Sequence, residues 1–94
     1  MKIAGFIWLE DVIEKLEAKH NVLAIEVEEV FASNPKIKKM HHGNFRGEHV
    51  YRALGHTKSG RYLTIFFIHK QAQEALLLSA RDMDRKERKS YGKK

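Results

Sequence analysis

Cysteine is absent from this chain, which excludes disulfides and thiolate metal sites. Proline occurs once, at Pro35. It cannot continue a helix and restricts the residue before it, so Ser33-Asn34-Pro35 is expected to stop one. Long apolar runs are missing too: the longest covers residues 63–68, far below the roughly 18 residues that cross a bilayer. The apolar stretch at residues 3–8 follows a single lysine and runs straight into acidic residues, too short for a secretory signal. A cytoplasmic protein with no membrane partner is therefore expected. There is no phosphate-binding glycine loop, no helical metalloprotease motif, no internal repeat and no flexible linker. The 94 residues are expected to form a single domain, 1–94.

Charge is abundant and unevenly placed. Residues 10–30 carry seven acids against two bases, a net of −5, whereas the remainder carries sixteen bases against five acids, a net of +11. A body this basic favours polyanions, because each neutralised phosphate releases condensed counterions. The bland reading is a solvated surface kept soluble by its charge.

Hydrophobic spacing predicts an α+β fold. Residues 3–8 read as a strand. Leu9, Val12, Ile13 and Leu16 then fall at helical spacing, in a helix ending near His20-Asn21. A second helix carries Leu23, Ala24, Val27, Val30 and Phe31 on one stripe and closes at Ser33-Asn34-Pro35. Residues 37–40 suggest a brief strand, and residues 41–47 a polar loop. Residues 48–55 are extended, and residues 57–60 form a turn with Gly60 where positive φ is needed. Residues 61–69 are β-branched and aromatic on both faces, as in a central strand. Residues 70–73 turn the chain, residues 75–79 make the last strand, and a basic helix capped by Asp82 or Asp84 follows. The expected architecture is an N-terminal strand and two helices, an antiparallel sheet of three to four strands and a basic C-terminal helix.

Chemistry-bearing residues gather at the strand ends. Arg61 and His69 bracket the central strand, Arg81 ends the last one, and Glu48 and Arg52 lie on the strand expected beside the centre. Cutting RNA without a metal requires a base for the 2′-hydroxyl proton, cations for the phosphorane charge and an acid for the leaving 5′ oxygen. Arginine suits the second task because its planar fork grips phosphate and stays charged. Candidates for the base are His69, His20 and Glu48. Equally, Arg61 pairs with Glu48 or Glu74 across the sheet in a purely structural role. His41-His42 raises a metal site, but neighbours on a strand point to opposite faces and no carboxylate completes a set; neither metal nor cofactor is expected. Phe66, Phe67 and Trp8 read as core, while Tyr51, Tyr62 and Tyr91 have polar tips, so that one of them is a candidate for contact with RNA.

The run from Trp8 through Lys19-His20-Asn21-Val22 to Glu26-Val27-Glu28-Glu29-Val30-Phe31 resembles the opening of BrnT-family toxins. Gly47-Glu48, Ala53-Leu54-Gly55, Gly60-Arg61-Tyr62-Leu63, Ser79-Ala80-Arg81 and Glu87-Arg88 with Tyr91 continue the likeness over nearly the full chain. The resemblance implies a fold similar to the RelE superfamily, metal-independent RNA cleavage and growth arrest. It also implies a cognate antitoxin protein that neutralises the toxin and touches DNA on the complex's behalf. By position, Lys19, His20, Glu48, Arg61, Arg81, Arg88 and Tyr91 carry over. Together with the residue chemistry, this gives Arg61, Arg81, Glu48, His69 and His20 as the expected catalytic set, and Arg52, Lys70, Arg85, Arg88 and Tyr91 as the expected RNA contacts. Alanine at Arg61 or Arg81 is expected to abolish toxicity without unfolding the chain. Val50 and Leu76 stand where many relatives carry arginine; Arg52 shares a strand face with residue 50 and can substitute there. These departures leave a non-catalytic RNA-binding module as the alternative.

Overall fold

A computed structural model describes residues 1–92, with the backbone alone at residues 42–45. The chain runs β1 (Gly5–Ile7), α1 (Glu10–His20), α2 (Ala24–Ala32), β2 (Lys36–Phe45), β3 (Glu48–His56), β4 (Tyr62–His69), β5 (Glu74–Asp82) and α3 (Arg85–Gly92). One sheet contains all five strands in the order β1-β5-β4-β3-β2. The fold is α+β as expected, but the sheet is larger. Strands β2 to β5 are antiparallel, and β1 adds a parallel edge to β5 through Phe6 opposite Ala75. Nothing local in the sequence signals that pairing, because its partners lie some seventy residues apart.

The helices start and stop for identifiable reasons. Asn21 takes the left-handed conformation (φ 52°) after α1, and the N–H groups of Asn21 and Val22 return to the Leu16 carbonyl. At α2, Glu26 accepts a hydrogen bond from the Leu23 N–H at 3.0 Å, the return half of a capping box whose first half a leucine side chain cannot make. Ser33 donates to the Val30 carbonyl at 2.6 Å, and Pro35 follows. Asp84, rather than Asp82, caps α3: its carboxylate accepts from the Glu87 N–H at 2.8 Å, and Glu87 accepts in return from the Asp84 N–H at 2.9 Å.

The predicted loop at 41–47 is largely strand. β2 continues to Phe45 with a register shift between Lys39 and Asn44, and the reversal is confined to Arg46 (φ 52°) and Gly47 (φ 81°). Two central residues at positive φ make a tight hairpin whose twist suits the flanking strands. An arginine in that position gives no sequence signal. The last strand likewise extends to Glu74–Asp82, because β4 supplies hydrogen bonds along its full length.

The sheet divides the molecule into two unlike faces. On one, α1 and α2 lay Val12, Leu16, Val22, Val27 and Val30 against Ala53, Leu63, Ile65, Phe67, Leu77 and Ala80. Phe31 meets Phe6 and Phe67 edge-on at 5.3 and 5.2 Å. Trp8 is half-buried against this core, with its indole N–H on Glu28 at 2.9 Å. On the other face α3 covers Thr64, Ile68 is buried as well, and Arg52, Phe66 and Ser79 are half-buried. Gly55 lies where β3 passes close under α2: a Cβ there would stand 2.8 Å from Val30 and 3.1 Å from Pro35.

Candidate functional site

Side chains alternate across a strand, and directly paired residues share a face. The registers therefore place two rows on the face opposite α1 and α2. Lys38, Arg52, Phe66 and Ser79 form one row across β2 to β5, and Lys36, Leu54, Thr64 and Arg81 form the next. α3 closes the second row. In the first, Lys38 is exposed while Arg52, Phe66 and Ser79 are half-buried; beyond it the buried Ile68 pairs with Leu76, with Glu48 and Lys70 on the adjoining strand ends.

Arg52 is the distinctive member. It is half-buried and its Nε is enclosed, yet among the described residues that N–H meets no acceptor. A buried donor without a partner costs about 1–3 kcal/mol, more when charged. An incoming anion would remove that cost, and Lys38 directly across the strand pair adds a second positive charge. Beside this row, Leu76, Leu78 and Ser79 floor a groove of about 630 Å³. Lys15 of α1 borders it together with Arg46, Glu48 and Lys70.

The other predicted arginines are committed elsewhere. Arg61 meets neither Glu48 nor Glu74. Its guanidinium donates to Asp82 at 2.8 and 3.2 Å, to Glu26 at 3.2 Å, and to the carbonyls of Asn21 and His20 at 2.8 and 3.2 Å. It thereby closes the C-terminus of α1, the first turn of α2 and the end of β5 in one junction. The hydrogen bond to Asp82 raises the arginine's pKa, and the same bond lowers that of Asp82. Arg81 forms a two-pronged pair with Glu87 at 2.7 and 2.8 Å and stacks over Phe66 at 5.5 Å. Glu87 is only 6% exposed and also accepts from the Thr64 hydroxyl at 2.8 Å. Burial opposes its ionisation, but the bonds from Arg81, the Asp84 N–H and Thr64 outweigh burial and bring its pKa to about 2. Both arginines thus hold elements together, so alanine at either should destabilise the fold, contrary to the expectation from sequence.

The expected catalytic set is also spread out. β4 separates Arg61 from His69 by its own length, roughly 26 Å at about 3.3 Å per residue. His20 sits at the Arg61 end through its carbonyl. His69, with its ring on the Lys2 carbonyl at 3.3 Å, sits at the end holding Glu48 and Lys70. Lys70 grips both oxygens of Glu48 at 2.7 and 2.9 Å. Of the expected RNA contacts, Arg52 lies in the first row and Lys70 on an adjoining strand end. Arg88 lies over the ring of Tyr62 at 4.6 Å, with Tyr91 edge-on beside it, and Arg85 is exposed at the start of α3. Lys19 is exposed on the last turn of α1. Sequence reasoning gave no place to Lys38 or Lys36; their pairing with Arg52 and Leu54 appears only once the register is known. Among the described residues, no group of three His, Asp or Glu is placed to hold a metal, and the His42 side chain lies outside the described residues. No described helix is long and apolar enough to cross a membrane.

The fold is shared with a solved protein. The crystal structure of the Brucella abortus ribonuclease toxin BrnT is similar to this one with a TM-score of 0.68, at 19% sequence identity, covering 89% of this chain and all of that one. No protein-family model matches the sequence, and no curated protein matches it.

Proposed function

We propose that the chain is a ribonuclease toxin that receives RNA on the sheet face opposite α1 and α2 and is neutralised by a cognate antitoxin covering that face. The observation that carries this reading is the half-buried Arg52, its Nε without an acceptor among the described residues and Lys38 opposite it, beside a groove that Lys15, Arg46 and Lys70 line together with Asp11 and Glu48. The fold, shared with a ribonuclease toxin, supports the same reading. Arg52 is the group that would bear the charge of the phosphorane. Glu48, beside Lys70 at the rim of the groove, is the carboxylate that would serve as proton acceptor. The 2′-hydroxyl gives up its proton and attacks phosphorus. The bond to the 5′ oxygen then breaks and that oxygen is protonated, leaving a 2′,3′-cyclic phosphate and a 5′-hydroxyl. On this reading the protein works in the cytoplasm, where it would meet RNA, and contact with DNA would come only through the antitoxin.

The test is incubation of the purified chain with RNA in excess chelator, with end-group analysis of the products. Cleavage leaving cyclic phosphate ends, reduced roughly 100-fold in Arg52→Ala, is the expected result. Intact RNA at equimolar protein, or cleavage abolished by the chelator, would overturn it. A non-catalytic RNA-binding module is the second reading, favoured by the ion pair that occupies Glu48. It predicts retention that falls steeply with salt and yields no products.

A further inference from the structure

At the far end of the same face, α3, the start of β2 and the start of β4 enclose a cavity of about 440 Å³ lined by Asn34, Lys36, Tyr62, Arg88, Tyr91 and Gly92. Two of its six lining residues are tyrosines and two are cations; none is a carboxylate. Tyr62 is 38% exposed, high for an aromatic ring in a small domain. Its orientation is nonetheless fixed, with Arg88 over the ring at 4.6 Å and Tyr91 edge-on at 5.9 Å. Lys36 lies 5.9 Å over the Tyr91 ring and donates to the Ser90 carbonyl at 3.1 Å, so the walls are braced against one another.

An exposed ring held between Arg88 and the edge of Tyr91 is poorly explained by packing, which would bury it, or by solubility, which needs no aromatic. It suits a flat, electron-rich ligand joined to negative charge. Tyrosine supplies a stacking surface at small entropic cost, the cations meet flanking phosphates, and the Asn34 amide offers a donor and an acceptor to a base edge. Lys36 and Lys38 occupy successive same-face positions of β2, about 7 Å apart, and link this cavity to Arg52.

We propose that this cavity is a nucleobase subsite for single-stranded RNA, in which Tyr62 stacks on an unpaired base while the Lys36–Lys38 rail holds the strand leading to Arg52. The inference rests on the RNA reading above and adds that the substrate is unpaired at a defined distance from Arg52. A duplex keeps its bases stacked inside and cannot fill the site.

The experiment measures binding of short 2′-O-methyl oligonucleotides, which cannot be cleaved, by fluorescence anisotropy, with one abasic residue walked along the strand. One position should weaken binding by roughly tenfold. That penalty should disappear in Tyr62→Leu and persist in Tyr62→Phe, with thermal melts showing both variants folded. A merely structural Tyr62 would alter overall affinity without altering the abasic profile. Uniform affinity along the walk, or an unchanged profile in Tyr62→Leu, overturns the subsite while leaving RNA binding intact. Failure of every oligonucleotide to bind overturns the RNA reading itself.

Discussion

Replacing Glu87 with glutamine should cost stability at neutral pH and almost nothing in strong acid. The carboxylate accepts from both prongs of Arg81, from Thr64 and from the Asp84 N–H, and it is nearly sealed from solvent. Its pKa falls from an ordinary 4.5 to about 2. That lowering corresponds to roughly 3 kcal/mol at pH 7. Solvent around Arg81, whose side chain is 36% exposed, screens part of it. Glutamine keeps the shape but loses the charge and turns an amide N–H₂ toward groups that are themselves donors. A loss of about 2 kcal/mol follows, near 10 °C in melting temperature for a domain this size. The sign is fixed by the direction of the shift. Because the folded-state value is depressed, the contribution is complete above pH 4.5 and disappears as pH falls towards 2. Urea unfolding of both proteins between pH 7 and pH 2 should therefore show curves that differ at neutral pH and converge in acid. A difference that stays constant down to pH 2 would refute the reasoning, since the loss would then come from shape and not from charge.

Arg61→Ala should destabilise by about 1–3 kcal/mol by releasing the carbonyls of His20 and Asn21 along with two carboxylates. Arg61→Lys should not restore that loss, because one ammonium cannot replace a fork that reaches three elements. A fully stable but inactive Arg61→Ala protein would return this residue to the catalytic site. Gly55→Ala should cost about 1–3 kcal/mol in urea unfolding, since the added methyl falls 2.8 Å from Val30. An unchanged midpoint would show that α2 can lift away from β3.

The amphipathic stripe of α1, the stop at Pro35, the turn at Gly60 and the doubly apolar β4 were all legible in the sequence. Each is set by local periodicity or by one residue's backbone freedom. The α+β class and the basic body followed from the same signals. The two-residue turn at Arg46-Gly47 was hidden, because its first residue is not one that positive φ favours.

The functional site was legible only in part. Sequence identifies which side chains carry charge; tertiary structure decides which of those charges are already neutralised. Arg61 and Arg81 look like reactive arginines at strand ends until Asp82, Glu26 and Glu87 are brought against them from 21, 35 and 6 residues away. Arg52, inconspicuous mid-strand, becomes the arginine of interest because register sets Lys38 across from it and packing encloses its Nε with no acceptor among the described residues. Composition alone made this chain basic. Which arginines remain available to an anion depended on long-range contacts that no local pattern encodes.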